Sequence, residues 1–212
     1  MHVAELWRYP VKSMRGEPLE AVEVREDGFA GDRLVHVVDD RGVLVTGRTR
    51  PGLLGLRATL ADDGAALVDG APWRSEEAAR AVETAAGGGA RMVAADEDGL
   101  RFDETPLLVA TDGMVEAFGI DRRRLRPNIV LAGVDGMSER DWEGRRLHVG
   151  DVVIALDHLC ERCVMTTFDP DTLEQDPDVL RRINAELGGR AALNCMVERP
   201  GRIALGDPVE LA

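Results

Sequence analysis

The feature that most constrains this chain is its punctuation. Runs rich in valine, leucine and isoleucine are each ended, after about four to eight residues, by a turn built on glycine or aspartate, which is the signature of many short strands. VAELWRY, LEAVEV, LVHVV with its DDRG turn, VLVTGR, and LLGLRATL with its ADDG turn fill most of the first ninety residues and read as a meander or small barrel. NIVLAG, DVVIALDH, ALNCMVE, RIALG and PVELA carry the same pattern to the end, with ARMVAA opening the second half.

Few segments depart from it. Residues 75–86 have helical character: Ser75 is placed to cap, Glu76 and Glu77 lie in the positive first turn, and Gly87-Gly88-Gly89 stops the helix. PDVLRRINAEL is a second helix, with Asp176 as cap, Pro177 at the first helical position and Gly188-Gly189 beyond its end. PLLVATDGMVEAFG reads as a strand running into a short helix, after the polar stretch DEDGLRFDET. The expected fold is therefore mainly β, a β-barrel with a few helices. The triple glycine divides it into a smaller β-rich subdomain, residues 1–90, and a core domain, residues 91–212.

Charge excludes one class of partner. Acidic residues number 39 against 26 basic, a net charge of −13 concentrated in residues 61–120 and 151–212, so a nucleic-acid backbone would be repelled. A small anion held by a few convergent cations is compatible with this balance. The basic set is itself uneven: 25 arginines and a single lysine, Lys12. No apolar run reaches the roughly 20 residues of a membrane span, and the first residues lack the pattern of an export signal. With only three cysteines, Cys160, Cys163 and Cys195, the expectation is a soluble protein of a reducing, cytoplasmic compartment.

The chemistry-bearing groups cluster at strand ends. Cys160-Glu161-Arg162-Cys163 follows an apolar strand, and a Cys-x-x-Cys pair is open to several readings: half a zinc site, a redox pair, the setting of one reactive thiolate, or two small buried side chains. Zinc lacks a second pair, and Met165-Thr166-Thr167-Phe168 reads as continued extended chain, unlike the helix start of a thioredoxin-type pair. Arg162 beside Cys163 is expected to favour its thiolate, the form that binds a soft metal. Lys12 and Ser13 end the first strand, Gly31-Asp32-Arg33 precedes LVHVV, and Arg126-Pro127-Asn128 precedes NIVLAG. Loops at the end of a barrel can bring such groups onto one anionic, metal-bearing ligand.

The run Cys160-x-Arg162-Cys163-x-x-Thr166-Thr167-x-Asp169-Pro170-Asp171-Thr172, with YPVKS at 9–13, GDR at 31–33, RPNIV at 126–130 and the ending PGRIALGDPVEL, resembles the MOSC family, and within it the amidoxime-reducing branch. The resemblance spans nearly the whole chain and implies a MOSC-type barrel behind a smaller N-terminal β-rich subdomain. It implies a molybdenum cofactor, molybdenum-molybdopterin, with Cys163 as the metal ligand and catalytic residue. Lys12, Ser13, Arg33 and Arg126 are implied to hold the molybdopterin, and Thr105 and Asn128 to neighbour its pterin or phosphate. The activity implied is reduction of N-hydroxylated small molecules.

Electrons for that reaction are expected from a separate ferredoxin- or flavoprotein-like donor. The chain has no dinucleotide-binding glycine turn, and three cysteines cannot ligate a cluster that takes four. Neither the membrane-targeting segment nor the fused ferredoxin domain found in parts of the family is visible in the sequence. The alternative is a cofactor-handling or sulfur-carrier protein in which Cys163 bears a persulfide.

Overall fold

Strand-forming residues with period-two burial give the computed structural model its character; it describes residues 1–95 and 101–212. The first half contains β1 (His2–Arg8), β2 (Glu17–Leu19), β3 (Ala21–Arg25), β4 (Gly28–Phe29), β5 (Val35–Val38), β6 (Leu44–Val45), β7 (Ala58–Leu60), β8 (Ala66–Val68), β9 (Ala71–Pro72), helix α1 (Glu76–Ala86) and β10 (Arg91–Ala94). The second half contains β11 (Leu107–Thr111), α2 (Asp112–Phe118), β12 (Ile129–Ala132), β13 (Arg146–Val149), β14 (Val152–Glu161), α3 (Pro177–Leu187), β15 (Arg190–Arg199), β16 (Gly201–Ala204) and β17 (Val209–Leu211). The fold is mainly β with a few helices, as the punctuated apolar runs predict. In β3, for example, Val22 and Val24 are buried while Glu23 and Arg25 face solvent.

One eight-stranded sheet organises the molecule, in the order β17-β13-β14-β15-β11-β12-β1-β2. Its pairings are antiparallel except β11 with β12, where α2 makes the crossover that a parallel pair requires. The sheet curls until its two sides meet at one corner: Val3 N–H donates to Asp207 O at 3.0 Å, Gly206 N–H to Val3 O at 2.8 Å and Val209 N–H to Met1 O at 3.0 Å. Inside the curl lie Leu6, Phe29, Leu131, Leu147, Ile154 and Leu193. Strand β11 is buried on both faces, Leu107 and Val109 toward this core and Leu108 and Ala110 toward α2 and α3, which explains its unbroken apolar run. β3 pairs with β16, while β5–β10 build two three-stranded sheets over a separate core that includes Val37, Leu53 and Val82 of α1.

The expected helix ends are present. Ser75 Oγ accepts from Ala78 N–H and the side chain of Asp176 from Asp178 N–H, while Gly188 closes α3 in the left-handed region at φ 63°. Two stretches read as extended are corrected. Leu53–Gly55 belong to a 3-10 turn over Pro51–Gly55, because Pro51 sets the turn and Gly52 lies so close to α1 that a Cβ there would come within 2.4 Å of Ala85 O. Val164–Thr167 also form a 3-10 turn: the hydroxyls of Thr166 and Thr167 donate to Cys163 O at 2.8 Å and Val164 O at 2.7 Å, so the local side chains satisfy the turn. Of the polar stretch DEDGLRFDET, residues 96–100 lie outside the described residues. No helix among the described residues is long and apolar enough to cross a membrane.

The crossover makes a testable demand on Gly113. A Cβ at this position would stand 2.2 Å from Val134 O and 2.3 Å from Gly136 O, both backbone atoms that cannot rotate away. Gly113→Ala is expected to destabilise the fold by about 1–3 kcal/mol, the usual cost of overpacking, seen as a lower urea midpoint at unchanged slope.

Candidate functional site

Six loops and residues of β11, β14 and β15 converge at one end of the curled sheet. The segments around Lys12, Arg33, Arg48, Thr105, Arg126 and Cys163, with Asn194 of β15, line an open cleft of about 880 Å³. Every residue selected from the sequence is on its wall: Lys12, Ser13, Arg33, Thr105, Arg126, Asn128 and Cys163. A second hollow of about 620 Å³, walled by Trp7, Tyr9 and Phe168, shares Arg124, Arg126 and Met165 with it.

Asp32 organises the floor. Fully buried, its carboxylate accepts from Tyr9 N–H at 2.6 Å, from the Arg33 guanidinium, and from Asn128 Nδ2 at 3.3 Å. Asn128 also donates to Trp7 O at 3.2 Å and accepts from Leu108 N–H at 3.1 Å, tying β1, β11 and β12 together beneath the cleft. Thr105 has a similar bracing role, accepting from Cys195 N–H at 3.1 Å and donating to Leu107 O at 3.1 Å. The Tyr9 hydroxyl donates to Pro127 O at 3.1 Å, and burial pushes its pKa up to about 12.

Backbone strain collects here as well. Ser13, Arg33 and Arg126 have φ of 68°, 50° and 58°, in the left-handed region that disfavours side chains by roughly 1–2 kcal/mol per residue. Such conformations persist where surrounding contacts over-determine them, and they cluster at functional sites. Arg126 adds a second anomaly. Its guanidinium lies 4.4 Å from the Tyr9 ring centre and makes no hydrogen bond or ion pair among the described residues, and burial draws its pKa down to about 10.

The cations meet an oxyanion already. Asp103 receives Lys12 Nζ at 2.8 Å on one oxygen and Arg48 Nη2 at 2.7 Å on the other. Burial alone would raise this carboxyl, but Lys12, Arg48 and Arg33 together hold it below the usual range. Arg48 is also the guanidinium that faces Cys163, and that thiol is the main reason its own pKa is raised.

Arg162 is therefore not the partner of Cys163. Its Nη1 donates to Cys160 Sγ at 3.2 Å and its Nη2 to Leu125 O at 2.8 Å, because residues two apart on an extended chain share a face. Burial pushes the Cys160 thiol up, with Arg162 partly offsetting it, and burial pushes Cys195 up much further. All three thiols are free. Arg162→Gln is expected to slow alkylation of Cys160 at pH 8 and to leave Cys163 labelling unchanged, while Cys195 reacts only after unfolding; mass-spectrometric mapping of labelled peptides reads all three.

Sequence reasoning missed Arg48 and Asp103 as site residues. Arg48 stands in a polar turn among 25 arginines, and nothing local distinguishes it. Asp32 was visible within the GDR cluster, but its role needs the fold, since its partners come from β1 and from the approach to β12.

Comparison with known proteins agrees with the geometry in covering both halves. The MOSC N-terminal beta barrel domain matches residues 1–106 and the MOSC domain matches residues 108–210. Mitochondrial amidoxime-reducing component 1 of Homo sapiens is 25% identical, the alignment covering 99% of this chain and 82% of that protein. Mitochondrial amidoxime reducing component 2 of Homo sapiens is 26% identical over 98% of this chain and 82% of its own length. The crystal structure of the YuaD protein from Bacillus subtilis shares the fold, with a TM-score of 0.54 at 14% identity over 99% of this chain and 94% of that one. With both of its halves matched in order by these two domain models, the chain belongs to the MOSC family.

Proposed function

We propose that this protein is a molybdenum-cofactor-binding oxidoreductase that reduces N-hydroxylated small molecules with electrons from a separate ferredoxin- or flavoprotein-like donor. The observation that carries the reading is the cleft itself: in a chain of net charge −13, Lys12, Arg33, Arg48 and Arg126 line one cavity together with the thiol of Cys163. Relatives named as amidoxime-reducing components support the same reading.

The residues present fit the group. Its terminal phosphate needs convergent cations, and Lys12 and Arg48, which already share the oxyanion of Asp103, support that reading. Its pterin needs a flat polar partner, and Arg126 has a guanidinium with unused donors in the cleft that Ser13 and Thr105 also line. Its metal needs a thiolate, which Cys163 would supply. When bound, the group supplies two-electron redox chemistry to a substrate N–O bond. The protein's own residues do the rest: Asp32 fixes Arg33 and Tyr9, Arg48 is aimed at Cys163, and the aromatic wall of Trp7, Tyr9 and Phe168 offers an apolar surface beside the reacting end. The three free thiols fit a reducing cytoplasmic compartment, where Cys163 stays available.

The test is to produce the protein in a host that makes the cofactor, measure molybdenum per chain, reduce the sample with an artificial one-electron donor, and assay hydroxylamine, an amidoxime and an N-hydroxylated base. The expected result is release of the corresponding amine or base. A fully loaded sample that reduces none of them, with transferable sulfur found on Cys163, would assign the protein to sulfur carriage instead.

A further inference from the structure

The open side of the cleft carries a set of groups that cofactor binding leaves unused. β14 and β15 pair with His158 opposite Asn194, but the register passes from Leu156 opposite Cys195 straight to that pair, so Asp157 is the extra residue of a β-bulge. In a regular strand Asp157 and His158 would point to opposite faces. Here the bulge brings Asp157 Oδ2 to 3.0 Å from His158 Nδ1. The other ring nitrogen, Nε2, lies 3.1 Å from Glu104 Oε2, and the buried Asn194 donates its amide to the same Glu104 oxygen.

Glu104 and Asn194 line the cleft with Cys160 and Cys163, and the side chains of Glu104, His158 and Asp157 all stand about half exposed at its rim. A carboxylate at each nitrogen favours the doubly protonated ring, in which both N–H groups donate; Asn194 Nδ2, 3.0 Å from Nε2, donates to that nitrogen only when it is unprotonated and otherwise to Glu104 alone. Asp157 from β14 and Glu104 from the approach to β11 are the charged groups that face the ring, and β15 contributes the neutral Asn194. His158 is accordingly raised above its ordinary value, the Asp157 hydrogen bond being the largest cause.

Among the described residues of the cleft, Glu161 is ion-paired with Arg190 at 3.5 Å, and the other proton sources are poor. Lys12 and Asp103 are paired, Tyr9 is pushed up to about 12, and the Cys160 thiol is raised by burial. Reduction of an N-hydroxylated compound consumes protons: R–NH–OH, two electrons and two protons give R–NH2 and water. The N–O bond breaks, one proton joins the departing oxygen and one the nitrogen, and the electrons come from the reduced one-electron donor protein.

We propose that Glu104, His158 and Asp157 form the proton-delivery chain for this reaction, with Glu104 protonating the departing oxygen and His158, held by Asp157, storing the proton that Glu104 next takes up. The inference rests on the N–O reductase reading above. Glu104 is the group that touches substrate; His158 and Asp157 act through it.

The experiment uses the full chain and two readouts. In protein carrying ¹⁵N-labelled histidine, the His158 ring is titrated by NMR, and Asp157→Asn and Glu104→Gln are each expected to lower its pKa by about 1 unit. In the molybdenum-loaded protein with an amidoxime and an artificial donor, wild-type kcat is expected to fall as pH rises through the His158 pKa, because the stored proton is lost. Glu104→Gln is expected to lower kcat about 100-fold and abolish that limb, with KM and molybdenum content unchanged. His148→Gln, on β13 and away from the cleft, serves as the control with the wild-type profile. A Glu104→Gln enzyme within about twofold of wild type, or a His158 pKa that neither variant moves, would overturn the delivery chain while leaving the reductase reading intact. A loaded wild-type protein that reduces no N-hydroxylated compound would overturn both.

Discussion

Cys163→Ser is expected to abolish molybdenum retention and N-hydroxylated-substrate reduction, whereas Cys160→Ser leaves most of both. The two thiols sit on one cleft wall but in different electrostatic settings. Cys163 caps the 3-10 turn that starts at Val164 and faces Arg48 across the cleft. Cys160 is raised by burial, and its guanidinium partner, Arg162, also braces Leu125 O. A serine oxygen at position 163 is a far weaker and harder ligand, so metal content measured per chain should drop to background. At position 160 serine can still accept from Arg162. Equal loss from the two substitutions would return the pair to a zinc or disulfide reading.

The second large effect is expected at Asp32. Its carboxylate is the common acceptor for Tyr9 N–H, the Arg33 guanidinium and the Asn128 amide, at a position with no solvent exposure. Asp32→Ala leaves a buried backbone N–H unpaired and Arg33 without its counter-charge, which typically costs about 3–5 kcal/mol. Urea denaturation should show that loss, and the folded fraction should retain little molybdenum because Arg33 is no longer held. Asp32→Asn separates the two causes. It keeps an acceptor for Tyr9 N–H, so most of the stability should return, while the missing charge leaves Arg33 poorly placed and retention low. An Asp32→Asn protein with wild-type molybdenum content would show that the charge of Asp32 does not position the site.

The sequence made local features legible because their causes are local. Ser75 and Asp176 cap their helices through bonds to residues two or three positions on, and Gly188 adopts the left-handed conformation that ends α3. The reading failed where a non-local contact or a side chain's own hydrogen bond prevailed over apolar pattern: Leu53 turned away from a strand because α1 packs against Gly52, and Thr166 and Thr167 folded the chain after Cys163 into a turn. It failed again at Arg162, whose side chain bonds Cys160 and not the adjacent Cys163.

By itself the sequence determined a mainly β chain, the places of its helices, and motif blocks specific enough to name the candidate residues of the cleft, because periodicity, caps and motifs need only neighbouring residues. Tertiary structure alone decided that Lys12, Arg33, Arg126 and Cys163 share one cavity, that Arg48 faces Cys163, and that Asp157 turns toward His158. Those outcomes depend on strand order, on where a bulge shifts the register, and on the corner at which the sheet meets itself. Each is set by pairings between residues far apart along the chain, which no local pattern encodes.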